Sequence, residues 1–281
     1  NNRIIKASKK DNFWEMGEMG PCGPCSEIHC DLRSQEERER LDGKELVNQD
    51  HPQVIEIWNL VFMEYNRKAN GSLVELPNKH VDTGMGFERL CMVLQDKTSN
   101  YDTDLFAPII QHLERIADCS YGSDSKTDIA LRVISDHVRA ISFSIADGQL
   151  PANTGAGYVI RRILRRAVRY GYQTLNLTDP FLYQCVKIVV GELGTAFPEL
   201  LAQQELIEKV IKEEETSFYR TLEKGIQRFN EYVKKGQKRI DGEFAFELFD
   251  TYGFPIDLTD LMAQDVSLKV DHKAFAVCLE K

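Results

Sequence analysis

Two hydrophobic periods divide this chain. Up to about residue 82 the apolar positions favour strands. Residues 25–32 alternate, with Ile28, Cys30 and Leu32 on one face and Glu27, His29 and Asp31 on the other, the period of a half-buried strand. Residues 54–63 are a dense β-branched and aromatic run around Trp58 and Asn59, which predicts a buried central strand. Asn70-Gly71 predicts a turn, and Val81 opens a short strand ending at Asp82-Thr83-Gly84. Gly20-Pro21-Cys22-Gly23-Pro24 reads as a rigid turn or loop. Residues 34–50 are crowded with charge and poor in large apolar side chains, so a solvated insertion is expected there.

Beyond residue 84 the period becomes helical. Phe87, Leu90, Cys91 and Leu94 fall at i, i+3, i+4 and i+7, and residues 105–116, 129–145, 159–170 and 206–233 continue in the same period. Residues 244–252 form a last predicted helix, stopped by Gly253 and Pro255. The expected fold class is α+β, an antiparallel sheet flanked by helices followed by an all-helical domain. The change of period falls near residues 97–104.

Composition excludes several classes. The 281 residues are 42% apolar and 28% charged, close to a globular average. No apolar run approaches the roughly 20 residues needed to span a bilayer. Residues 1–11 are polar and basic, unlike a signal peptide, and the first residue is not Met, so a piece of a longer protein is expected. The seven cysteines (Cys22, Cys25, Cys30, Cys91, Cys119, Cys185 and Cys278) are odd in number and widely spaced after Cys30, so a reducing cytoplasm is expected rather than a disulfide framework. The single Cys22-Gly-Pro-Cys25 has no second CxxC or HxxxH downstream to complete a zinc site, so two small residues in a tight loop are the favoured reading and no metal is assigned.

Charge changes the picture more. Thirty-five basic against 44 acidic side chains leave a net −9, which opposes nucleic-acid binding unless the positive charge is concentrated. It is concentrated. Between Gly148 and Thr178 there is no Asp or Glu, yet Arg161, Arg162, Arg165, Arg166 and Arg169 fall there. At about 100° per residue these five span an arc of about 140°, with Ile160, Ile163, Leu164, Ala167 and Val168 opposite. A phosphate-binding face is the natural reading; pairing with acids such as Glu213-Glu214-Glu215 is the competing one.

Three further features could carry chemistry. In residues 81–89 a strand ends in Asp82, Gly84 and Gly86 follow, and a helix begins with Arg89 in its first turns. Bare glycines let backbone approach a ligand, a carboxylate can hold an ammonium, and an arginine can stack on a base. Trp14, beside the glycine-rich loop, could wall a small pocket into which Asn59 could point, although a Trp in a strand-rich domain is more often core. Asp250, near the end of a helix, opposes the helix dipole by a few tenths of a kcal/mol; it is either tolerated at the surface or held for a contact, and alone it favours the former.

Together these segments resemble alanyl-tRNA synthetases, a class II aminoacyl-tRNA synthetase family. The resemblance is carried by residues 11–17 and 20–28, by Glu56 to Met63, by Val81-Asp82-Thr83-Gly84-Met85-Gly86-Phe87-Glu88-Arg89, by residues 145–166, and by Asp250-Thr251-Tyr252-Gly253-Phe254-Pro255. They appear in the family's order and cover nearly the whole chain. The resemblance implies the later part of an aminoacylation domain over residues 1–97, including the class's motif 3. It also implies a helical tRNA-recognition domain over 98–255 and a connection toward an editing domain over 256–281. The implied reaction joins alanine to tRNA(Ala) through an adenylate made from ATP with Mg²⁺. Trp14, Asn59 and Asp82 would bind alanine, and Gly84, Gly86 and Arg89 would bind ATP. Asn153 and Asp250 would read an acceptor-stem G·U pair, and Arg161, Arg162, Arg165 and Arg166 would hold phosphates. No catalytic acid or base is implied, because the alanine carboxylate is itself the nucleophile.

One departure matters. The family's motifs 1 and 2 should precede Trp14 and the editing domain, with its zinc, should follow Lys281; none is present. The chain alone is therefore expected to be inactive or nearly so in activation. Two other readings stay open: a stand-alone, non-catalytic RNA-binding module, and a redox protein using Cys22 and Cys25.

Overall fold

A long hairpin organises the first half of the computed structural model, which describes residues 3–279. Strand β3 (Val54–Arg67) turns back through Gly71, at φ +80°, into β4 (Leu73–Met85). Strand β2 (Gly20–Asp31) pairs with the other side of β3, and the short β1 (Phe13–Glu15) pairs with β2. All four strands are antiparallel, in the order β1-β2-β3-β4. A single turn of helix, α1 (Lys9–Asn12), precedes β1, and α3 (Phe87–Leu94) follows β4. The chain divides into two units, Asn1–Leu105 and Phe106–Lys281; Asn1, Asn2, Glu280 and Lys281, which fall in the expected outer segments, lie outside the described residues.

The Gly20–Pro24 segment is strand, not loop. It belongs to β2, where the β2–β3 register shifts between Cys22 and Cys25. Such an irregularity admits prolines and a glycine without ending the strand. A Cβ on Gly23 would run into the Phe62 carbonyl, so only glycine fits the approach. The strand expected to begin at Val81 is the far end of β4, which is nearly all exposed. Strand β3 is central as expected but less buried: Val54 and Val61 are buried, and Phe62 is exposed.

The charged insertion is tied down by one buried arginine. Arg33 clamps Asp31 with bonds of 2.7 and 2.9 Å and donates to the Leu41 carbonyl at 2.9 Å. That carbonyl follows helix α2 (Gln35–Arg40), which opens with a Ser34–Glu37 capping box. Hydrogen bonding from Arg33 holds the Asp31 carboxyl below the usual carboxylate range.

The second unit is all helix: α4 (Ala107–Ala117), α5 (Ser125–Ala146), α6 (Gly155–Leu175), α7 (Leu182–Leu193), α8 (Pro198–Ala202), α9 (Gln204–Lys234), α10 (Gly242–Tyr252), α11 (Ile256–Asp265) and α12 (His272–Leu279). Leu131, Ile134, Val138, Ile141 and Ile145 run down α5 and are fully buried. Each contributes roughly 1.5–3 kcal/mol by leaving water. Helices α7 and α8 were not expected from the sequence, and α10 is not the last helix: α11 and α12 follow it. Among the described residues no helix is long and apolar enough to cross a membrane.

A buried carboxyl joins two of these helices. Glu215 of α9 accepts the N–H groups of Phe181 (3.0 Å), Leu182 (2.8 Å) and Tyr183 (3.0 Å), capping the start of α7 from across the unit. Burial pushes this carboxyl up to about 7 despite the three donors. Its folded value thus lies above the ordinary 4.5, so the folded state holds the proton more tightly. That contribution is complete below about pH 4.5 and is lost as pH rises through about 7. The stability of wild type relative to Glu215→Gln is therefore expected to fall by roughly 1–3 kcal/mol between pH 5 and 8 in urea titrations. A pH-independent difference would contradict this.

Candidate functional site

The β3–β4 register decides what gathers on the sheet. Asn59 lies opposite Gly84 and Val61 opposite Asp82; on the other side Glu27 lies opposite Asn59 and Cys25 opposite Val61. Cross-strand partners share a face, and residues two apart along a strand share it too. Cys25, Glu27, Asn59, Val61, Asp82 and Gly84 therefore line one face. Ile28, Trp58, Phe62, Val81 and Met85 line the other, where all but Trp58 are exposed. Trp14, half-buried, stands on β1 opposite Gly23.

The turn after β4 carries the remaining residues. Asp82, Gly84 and Arg89 are exposed. A Cβ on Gly84 would meet nothing within 4 Å, so its side of the strand is open. Gly86 differs: a Cβ there would press on the Arg89 stem at 3.3 Å. Gly86 caps α3 and its N–H donates to the Ile57 carbonyl at 3.0 Å. Arg89 Nη1 donates to the Glu56 carbonyl at 2.8 Å, which fixes the guanidinium beside β3.

Sequence reasoning gave Glu27 no role. Its carboxylate stands beside Asn59, 2.9 Å from His29 Nε2 and 3.3 Å from Asn48 Nδ2. The alternation of residues 25–32 was the available signal, but not its direction, for the Ile28 face is the exposed one. A cavity of about 610 Å³ opens along β2 over Glu27, His29, Asp31, Lys44 and Asn48; Trp14, Asn59 and Asp82 are not among its lining.

The cysteine pair sits in the same sheet. Cys22 and Cys25 are buried and unbridged. Burial, then the charges of Glu27 and Glu56, raise the Cys25 thiol above its ordinary value. A reactive redox cysteine needs the opposite shift. Among the described residues no three His, Cys, Asp or Glu converge to hold a metal.

In the helical unit the five arginines do not present a bare cationic face. Arg161 makes two bonds to Glu214 of α9, at 3.0 and 2.6 Å, and donates to the Asn153 side-chain oxygen. Arg165 approaches Glu214 at 4.0 Å, lies over the Phe218 ring at 5.0 Å, and donates to the Gly253 carbonyl. Arg162 and Arg166 share Asp257 of α11, at 3.6 and 2.8 Å. Arg169, buried, bonds Asp265 and Gln173. The acids expected as the competing partners are present, though mostly from α11 rather than from the Glu213–Glu215 run. Arg162 and Arg166 keep the most exposure, with 38% and 30% of their side chains accessible against 19% and 16% for Arg161 and Arg165. Asn153 is exposed in the loop before α6, and Asp250 is exposed in the last turn of α10.

Comparison with known proteins assigns the chain to a class. The family model described as tRNA synthetases class II (A) matches residues 1–281, and the chain belongs to that family. Curated relatives narrow the likeness. The chain is 61% identical over 280 residues to an alanine–tRNA ligase of Christiangramia forsetii, covering 99% of this chain and 32% of that protein. It is 61% identical over 277 residues to one from Cytophaga hutchinsonii and 58% identical over 283 residues to one from Porphyromonas gingivalis, again spanning 32% of each. The chain thus spans about a third of the length of the curated relatives it matches.

The thiol environments give a direct check. In the native chain at neutral pH, Cys22, Cys25 and Cys185 are expected to resist iodoacetamide and to label fully in urea, read by peptide mass. Rapid native labelling of Cys25 would revive a reactive role.

Proposed function

We propose that this chain is the part of an alanine–tRNA ligase that holds alanine, carries one wall of the nucleotide site and recognises the acceptor stem of tRNA(Ala). The observation that carries the first role is the shared face of Asn59, Asp82 and Gly84. Asp82 would accept the alanine ammonium and Asn59 would orient the amino acid, with Trp14 closing the side. Beside them, Gly84 would let backbone approach ATP and Gly86 would seat Arg89, whose guanidinium would stack on adenine, worth about 1 kcal/mol.

The chemistry asks little of these residues beyond placement. The alanine carboxylate attacks the α-phosphorus, the bond to the bridging oxygen breaks, and pyrophosphate leaves with the electron pair. No protein group must take a proton in that step. Positioning and charge stabilisation lower the barrier. Mg²⁺ commonly comes with the nucleotide's phosphates and needs only one or two protein carboxylates. The adenylate would then pass alanine to the tRNA 3′ end.

The recognition role rests on Asn153 and Asp250. A G·U wobble leaves a guanine amino group unpaired in the shallow groove of A-form RNA, where side chains reach it. Asp250 can only accept, and Asn153 can accept and donate. This gives a reason for a carboxylate placed against the dipole of α10. The acid pairing of the α6 arginines weighs against a stand-alone module held on RNA by bulk positive charge.

Two measurements test the proposal. The chain is expected to bind an acceptor-stem hairpin carrying the wobble pair at least tenfold more tightly than its Watson–Crick counterpart at one fixed salt. Asp250→Ala is expected to erase the difference, and equal binding of the two RNAs by wild type would contradict the recognition role. The 281-residue chain alone is also expected to show no alanine-dependent pyrophosphate exchange. Exchange above background would mean that the activation site is complete within these residues.

A further inference from the structure

Four of the five α6 arginines fall into two i, i+4 pairs, and each pair closes on one carboxylate from another helix, while Arg169 pairs separately with Asp265. Arg161 and Arg165 meet Glu214 of α9; Arg162 and Arg166 meet Asp257 of α11. The pairs differ in what else they hold. Arg161 donates to the side-chain oxygen of Asn153. Arg165 donates to the Gly253 carbonyl, three residues beyond Asp250, at the turn that ends α10. So the Arg161–Arg165 pair bonds Asn153 directly and, three residues beyond Asp250, the Gly253 carbonyl, and its two members are joined through a shared acid.

The attachment at Gly253 is closely fitted. Gly253 has φ +71°, and a Cβ there would come within 2.6 Å of Arg165 Nη1. Phe254, fully buried, packs on Phe218 with ring centroids 5.7 Å apart, and Phe218 is the ring beneath the Arg165 guanidinium. Thr221 Oγ1 also donates to the Tyr252 carbonyl at 2.8 Å. A guanidinium at the carbonyl end of α10 offsets the unfavourable placement of Asp250 in the same last turn.

We propose, resting on the recognition reading above, that Arg161 and Arg165 are positioning residues: they hold Asn153 and Asp250 in register for the wobble pair and do not themselves grip phosphate. Phosphate contact falls to Arg162 and Arg166, the more exposed pair. This reassigns two of the four arginines expected from sequence to hold the backbone.

The two roles leave different signatures. A phosphate ligand sets how steeply binding falls with salt, while a positioning residue sets discrimination between RNAs. The experiment measures binding of the wobble and Watson–Crick hairpins over a salt series for the full chain and for Arg161→Met, Arg165→Met, Arg165→Lys and Arg162→Gln. Circular dichroism and thermal melting admit only folded variants. Arg165→Met and Arg161→Met are each expected to reduce the wobble preference at least fivefold with an unchanged salt slope. Arg165→Lys, which can still donate to Gly253, is expected to recover part of the preference. Arg162→Gln is expected to lower the slope by about one and keep the preference. Should Arg165→Met lower the slope by about one and leave the preference intact, Arg165 is a phosphate ligand and the proposal is overturned. If Arg165→Met does not fold, Arg165→Lys decides: because lysine keeps the charge, the slope stays constant either way, a reduced preference supports the proposal, and a full wild-type preference overturns it. Absence of any preference in wild type defeats the recognition reading itself, and this proposal with it, and is distinguishable because it appears before any substitution.

Discussion

The helical unit depends on charge neutralisation along α6. Five guanidinium groups on one helix would repel one another, and three of them are largely shielded from water. Glu214, Asp257 and Asp265 make that arrangement stable by arriving from α9 and α11. Removing one partner of such a part-buried pair is destabilising, because the other charge is left without its counterion. The same bonds tie α9 and α11 to α6, and the Arg165 bond to the Gly253 carbonyl ties the end of α10 there as well. Positive charge serves first as an internal scaffold, and on the proposed reading what would remain for RNA is set by which guanidinium donors the carboxylates leave free.

The sheet follows a comparable logic with backbone in place of charge. Asn59, Asp82 and Gly84 come from two strands and share a face because the β3–β4 register puts Asn59 against Gly84 and Val61 against Asp82. A slip by one residue would turn the amide and the carboxylate to opposite sides. The register shift between Cys22 and Cys25 lets a segment with two prolines remain strand, and Gly23 lets the Phe62 carbonyl approach. These local features hold Trp14 on β1, the edge strand of the same sheet, opposite Gly23.

Much of this was legible in the chain. The 3.6-residue spacing of Arg161 to Arg169 gave the cationic arc and its apolar reverse, and the β-branched run around Trp58 gave β3. What could not be read was pairing at a distance. Glu214 lies 53 positions from Arg161, and Asp257 lies 91 from Arg166, so no local pattern reveals that the arc is occupied. Helix α7 was missed although Leu182, Cys185, Val186, Val189, Val190 and Leu193 hold a helical spacing, because its valines also suit a strand and its cap comes from Glu215 on another helix. The Gly20–Pro24 loop expectation failed because proline and glycine mark a strand irregularity as readily as a turn. Local resemblance supplied the candidate residues; only the fold shows that Arg161 and Arg165 face inward while Arg162 and Arg166 keep more of their surface.

The central claim is that division of the arginine face. It is tested most directly by following the arginine Nε–Hε resonances of the chain while the wobble hairpin is added. The account predicts that Arg162 and Arg166 shift and saturate with the RNA, while Arg161 and Arg165 keep the positions set by Glu214 and Gly253. Shifts of equal size at all four would contradict it, and would make α6 a uniform phosphate-binding surface whose acids yield to RNA.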